Sequence, residues 1–310
     1  MKGVFRLFFI CVLLYNARSK TFYDVLENIL QDVSTSPIPV HCGRSKFHVD
    51  HRKLFAGLST TKRIVGGVTS RYGEWPWLVT MRLAKNGSDY EHLCGGTLIH
   101  PHHFDSQLGH FIGTEGPLMG HHFRAPKTIN LDIALVKLKE PVKLSELVNV
   151  ACLPDEGDSF TPGTTCVTAG WGHTKEAGDV SNLVRHVSVP IISNSLCNRL
   201  YAKITHKVSF HIYDDMMCAG HETGGKDACQ FNFMLHSSAL LIYAHAFSHL
   251  EQMRTYDSGG PMVCFDWADN QWLLAGVVST GYGCARVGFP GIYTRVNAFI
   301  PWIEETIANN

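Results

Sequence analysis

The sequence predicts an all-β fold, a sandwich or a barrel. From Ile64 onward the chain is a series of short runs rich in Val, Ile, Leu, Thr and aromatic residues. Gly and Pro separate these runs, and only the C-terminal end carries a helical pattern. In order, the candidate strands are WPWLVTMRL, CGGTLI, DIALVKL, TCVTAGW, RHVSVPII, WLLAGVVST and GIYTRV. In the closing NAFIPWIEETIANN, Pro301 suits a first helical turn, where its missing N–H costs nothing. Phe299, Ile303 and Ile307 then share one face that can dock on the body. No repeat of solenoid spacing and no low-complexity tract interrupts this texture.

Composition narrows the function classes. The chain has 310 residues, 45% of them hydrophobic, which is enough for a sizeable core in one or two domains. Lys plus Arg and Asp plus Glu number 27 each, and no block of one sign marks a nucleic-acid partner. At the N-terminus, Lys2 and Arg6 precede an apolar run from Leu7 to Tyr15, then Ala17 and Ser19. This is the pattern of a signal peptide, residues 1–19, and the run is too short for a membrane anchor. The expected destination is therefore secreted and extracellular, where nine cysteines outside the signal read as disulfide partners. Asn86-Gly87-Ser88 is a glycosylation sequon on that route. Residues 20–63 are polar, hold Pro37, Pro39 and Cys42, and end at Lys62-Arg63, as a propeptide would.

Three short motifs carry chemistry. Arg63-Ile64-Val65-Gly66-Gly67 is a basic cleavage site before an apolar new N-terminus. Asp132-Ile133-Ala134-Leu135 sets a carboxylate at the edge of an apolar strand, and Asp257-Ser258-Gly259-Gly260-Pro261 sets a serine in a turn whose glycines allow close backbone approach. With CGGTLI and AGWG between them, they make the chain resemble the trypsin-like branch of the chymotrypsin family of serine endopeptidases over Ile64 to Asn310. The resemblance implies two six-stranded antiparallel β-barrels with a C-terminal helix, the first barrel incomplete here.

It also implies residue roles. Ser258 matches the nucleophile, and Asp132 the carboxylate that orients its base. Cleavage after Arg63 frees the amine of Ile64 to pair with Asp257. Asp227 matches the pocket floor, where a carboxylate pairs with the cation of a substrate Arg or Lys, and Gly281 and Gly291 match the pocket walls. Thr280 departs from the aromatic residue usual at its position. The implied disulfides are Cys42–Cys152, Cys166–Cys264, Cys197–Cys218 and Cys229–Cys284, which leave Cys94 over. The implied partners are protein or peptide substrates cut after Arg or Lys, and protein protease inhibitors.

Two departures bear on activity. The segment that carries the base His and the mate of Cys94 has no counterpart after Ile99. Nearby His100, His102, His103, His110, His121 and His122 lack the context that would place one of them at Ser258, so surface roles are expected. The second departure is residues 231–256, an atypical insert that interrupts KDACQ and DSGGP within the 64–310 protease domain. It leaves Tyr256 to supply an oxyanion-hole N–H beside that of Ser258. The expectation is an impaired enzyme or, alternatively, an inactive pseudoprotease that binds or regulates. No cofactor is expected and no metal, since neither HExxH nor paired CxxC occurs. The stretch Gly220 to Lys226 has phosphate-loop spacing, but Asp227 stands where Ser or Thr would bind magnesium.

Overall fold

The protein is seen in a computed structural model that describes residues 42–47, 67–84, 90–100, 103–106, 131–138, 142–172, 181–203, 211–225, 258–282 and 285–309. The first sheet comprises β2 (Leu78–Ala84), β3 (Tyr90–His100), β4 (His103–Ser106) and β5 (Ala134–Lys137), in that spatial order. β1 (Val68–Thr69) belongs to the second sheet, with β6 (Thr165–Gly170), β7 (Arg185–Ile192), β8 (Met216–Ala219), β9 (Pro261–Asp266), β10 (Gln271–Thr280) and β11 (Gly291–Arg295). That sheet runs β1-β7-β6-β9-β10-β11-β8, and a further β7–β8 pairing closes six strands into an antiparallel barrel. Closure leaves those six strands without a free edge, which is how all-β folds avoid unwanted strand pairing. The closed barrel and the C-terminal helix agree with the expected fold, and the first sheet, expected as an incomplete barrel, has four strands among the described residues.

Two elements correct the sequence reading. Between CGGTLI and DIALVKL, where the sequence marked no strand, β4 pairs with β3 and β5 through Phe104↔Leu98 and Phe104↔Val136. Helical structure is also not confined to the end, because α1 (Asn194–Ala202) follows β7. Ser193 caps it by accepting the Leu196 N–H at 3.2 Å, and Cys197 and Tyr201, four residues apart, face the core. The buried Tyr201 hydroxyl donates to the Pro290 carbonyl at 2.7 Å. A 3-10 turn, Val296–Phe299, leads into α2 (Ile300–Asn309), which buries Ile300 and Ile303 and packs Ile307 against the core.

Three disulfides staple this frame. Cys166–Cys264 joins β6 to β9 inside the barrel, Cys197–Cys218 ties α1 to β8, and Cys42–Cys152 ties the segment 42–47 to the body. Gly43 of that segment donates to the Val150 carbonyl and accepts from Trp272 N–H. Its φ is +65°, and a Cβ there would lie 2.5 Å from the Trp272 carbonyl oxygen, so only glycine fits. Trp272 stacks edge to face on Trp75 and Phe265, with centroids 5.3 and 5.1 Å away. Cys94 is buried in β3, outside these three disulfides. Cys229–Cys284 and Asn86 lie outside the described residues.

β1 is held to the barrel by a buried polar group. Arg185 Nη2 donates to the Gly67 carbonyl at 2.8 Å, while Ser70 Oγ shares a 2.8 Å hydrogen bond with His186 Nδ1 and accepts from Trp75 Nε1 at 3.1 Å. The Glu74 carboxylate lies 4.0 Å from the same ring nitrogen and accepts the Arg71 N–H. Burial pushes the His186 imidazolium below its ordinary pKa; Glu74 opposes this, and Arg71 and Arg185 reinforce it. The unfolded chain therefore binds this proton more readily than the folded one, and stability falls as pH drops below the unfolded value of about 6.5. Urea midpoints measured from pH 8 to pH 5 should decline through that window, and His186→Gln should lose this component of the slope.

Candidate active site

β10 lies at the centre of the site. Its Val278 accepts the Gly259 N–H and donates to the Gly260 carbonyl, both at 2.9 Å, so the turn after Ser258 is sewn to the barrel. From the other side, Gly95 of β3 donates to the Ser258 carbonyl at 2.9 Å. A Cβ on Gly95 would come within 2.9 Å of the Gly260 backbone, so the first glycine of CGGTLI is what allows the first sheet to meet the serine turn. Gly259 has φ +81°, a conformation in which a side chain is strained. Ser258 itself is 2% exposed.

The next residue along β10 holds the carboxylate. Ser279 Oγ donates to Asp132 Oδ2 at 2.7 Å, and Thr294 Oγ1 of β11 donates to the Asp132 carbonyl at 2.6 Å. Asp132 thus precedes a strand of the first sheet but is gripped by two strands of the barrel. Hydrogen bonds to an ionised carboxylate favour its charged form. Adjacent residues of one strand therefore hold the two groups that the sequence singled out. Ser279 and Thr294 were missed by the sequence reading, since WLLAGVVST and GIYTRV read as strands without marking either hydroxyl.

The histidines are placed differently. His103 pairs with His100 and with Lys137, five positions beyond Asp132 along its strand. At about 3.3 Å per residue, the rise from Ala134 to Lys137 puts both backbones roughly 10 Å along β5 from the end that follows Asp132. His102, His110, His121 and His122 lie outside the described residues. His92, which the sequence reading did not weigh, stands on β3 three residues before Gly95. Its Nδ1 is 2.6 Å from Thr80 Oγ1 and its ring packs 5.6 Å from Trp171.

The two glycines that the sequence reading assigned to pocket walls lie at the ends of paired strands. Gly281 follows β10 directly, and Gly291 opens β11 opposite Ala219 of β8. Residues 220–225 are braced against 285–289 by Gly225 N–H to the Ala285 carbonyl at 2.8 Å and Gly288 N–H to the Glu222 carbonyl at 2.9 Å. Thr280 is partly buried at the end of β10. Asp227, Tyr256, Asp257, Arg63 and Ile64 lie outside the described residues. Among the described residues, no three His, Cys, Asp or Glu side chains are placed to hold a metal ion.

The family model for Trypsin matches residues 105–232 and 246–303, more than half of the chain. The chain belongs to the trypsin family. The stretch 233–245 that the family model skips falls inside the atypical insert read from the sequence. A curated relative, "Transmembrane protease serine 9" of Rattus norvegicus, is 34% identical over 79% of this chain. The chain spans only 22% of that relative's length, so it is similar to one portion of a larger protein. Among the described residues, no helix is long and apolar enough to cross a membrane.

Proposed function

We propose that this member of the trypsin family is a secreted zymogen of an endopeptidase that cuts after Arg or Lys, and that the chain works slowly because its base is missing. The observation that carries this reading is the pairing of Val278 and Ser279 on β10, one holding the serine turn and the other Asp132. Cleavage after Arg63 frees the Ile64 amine to pair with Asp257, while Cys42–Cys152 keeps the earlier segment attached. A substrate Arg or Lys then enters between Gly281 and Gly291 and meets the Asp227 carboxylate. The Ser258 oxygen attacks the scissile carbonyl and gives a tetrahedral oxyanion that accepts hydrogen bonds from the N–H groups of Ser258 and Tyr256. Collapse expels the amine and leaves an acyl ester on Ser258, which water hydrolyses. Without an imidazole the serine proton passes to solvent, which makes the first step slow.

Protein protease inhibitors that present Arg or Lys would occupy the same pocket. The absent base segment favours a second reading, a pseudoprotease that binds such proteins without cutting them. An aryl ester of 4-guanidinobenzoate separates the two. Incubated with the chain cleaved after Arg63, it should release its phenol and add one acyl group to the peptide containing Ser258. Ser258→Ala should gain none. A wild-type chain that also gains no mass supports the pseudoprotease.

A further inference from the structure

Asp132 has a third grip, one residue before it. The main-chain N–H of Leu131 donates to Asp215 Oδ2 at 3.0 Å. Leu131 has φ +60°, in the left-handed region that a residue with a Cβ seldom occupies. The chain folds sharply there, with Ile133 N–H returning to the Leu131 carbonyl at 3.1 Å. Because the Leu131 side chain packs against the core, a strained backbone and a packed side chain are held at the same point. Asp215 is itself fixed just before β8. Its carbonyl accepts Arg295 N–H at 2.9 Å, and the Arg295 guanidinium spans the Asp214 and Met216 carbonyls through Nε at 2.8 Å and Nη2 at 3.0 Å. The neighbouring Thr294 is the residue that binds the Asp132 carbonyl. One block of the barrel, residues 214–216 with 294–295, therefore meets the backbone on both sides of the Asp132 Cα.

We propose that Asp215 is a positioning residue for the Asp132 carboxylate: it holds Leu131 in the left-handed turn that carries Asp132 Oδ2 to the Ser279 hydroxyl. The role assigned to Asp132 rests on the protease reading, whereas the clamp is testable without catalysis. Its readout is the titration of the Asp132 carboxyl carbon by NMR in the full chain. Asp215→Ala releases Leu131, lets Asp132 withdraw from Ser279, and should move that titration up by about one pH unit, since a lost donor disfavours the charged form. Asp215→Asn keeps an oxygen acceptor while removing the charge, and should leave the titration in place. Adding Leu131→Gly to Asp215→Ala should recover at least half of the shift, because glycine takes the left-handed conformation without strain.

If Asp215→Ala does not fold, Asp215→Ser, too short to reach the Leu131 N–H, gives the same reading. A folded Asp215→Ala or Asp215→Ser with an unmoved Asp132 overturns the proposal. An Asp215→Asn shift as large as that of Asp215→Ala overturns it too, since charge and not the clamp would then set Asp132. Arg-amide hydrolysis by the same variants keeps the two readings apart. A clamp-dependent titration in a chain that never hydrolyses refutes the protease and leaves the clamp, and hydrolysis with an unmoved titration does the reverse.

Discussion

Replacing Cys166 and Cys264 together by alanine should lower the unfolding free energy by about 4–5 kcal/mol, the loop-closure expectation for a ring of about 100 residues. The two cysteines are 98 residues apart in sequence, and they face each other in the register of β6 and β9. Their loss falls on the closed barrel, because β9 also pairs with β10, the strand that holds the serine turn and Asp132. The effect should therefore extend beyond the global midpoint. Urea unfolding measures the first part. Amide exchange at Gly259 and Val278 measures the second, and both amides should lose protection before the first sheet does. Cys197–Cys218 closes only 21 residues, and the same reasoning gives it a smaller effect of about 3 kcal/mol.

A larger effect concerns rate. After cleavage following Arg63, the chain should hydrolyse an Arg-amide about 10⁴ to 10⁶-fold more slowly than an enzyme with a complete triad, the usual deficit when one member is lost. The pH profile should also lack an inflection near 6.5, the ordinary range of a histidine base. His100 and His103 pair at the far end of the first sheet, and His92 and His186 are engaged through Nδ1 with Thr80 and Ser70. With solvent as proton acceptor, the rate should rise steadily from pH 6 to pH 9. A plateau with a midpoint between 6 and 7 would mean that one of His102, His110, His121 or His122 reaches Ser258.

Much of the barrel was legible because its strands are apolar, β-branched and bounded by Gly or Pro, as in TCVTAG and WLLAGVVST. The C-terminal helix was legible for a similar reason, since Phe299, Ile303 and Ile307 repeat at helical spacing. β4 was not, because HFDS is short and half polar, and only its pairing on both sides makes it a strand. α1 hid behind NSLCNRLYA, which buries Cys197 and Tyr201 with Leu196 packed beside them, and whose clearest signal is the cap at Ser193. At the site, the serine turn and Asp132 stood out because motifs are local. Ser279 and Thr294 did not, since they reach Asp132 across 147 and 162 residues, and such contacts exist only once β10 and β11 are paired. Asp215 was invisible for the same reason, 84 residues from Leu131, and the left-handed residue itself is a leucine, a type that does not announce such a turn.

The central claim is that Ser258 acts as a nucleophile in a site held by β10. The most direct measurement is amidolysis of an Arg-amide by the chain cleaved after Arg63, read beside Ser258→Ala under identical conditions. A slow wild-type rate should exceed that of Ser258→Ala and disappear when the Arg of the substrate is replaced by Leu. Equal rates for the two proteins would contradict it and leave a trypsin-family domain that binds without cutting.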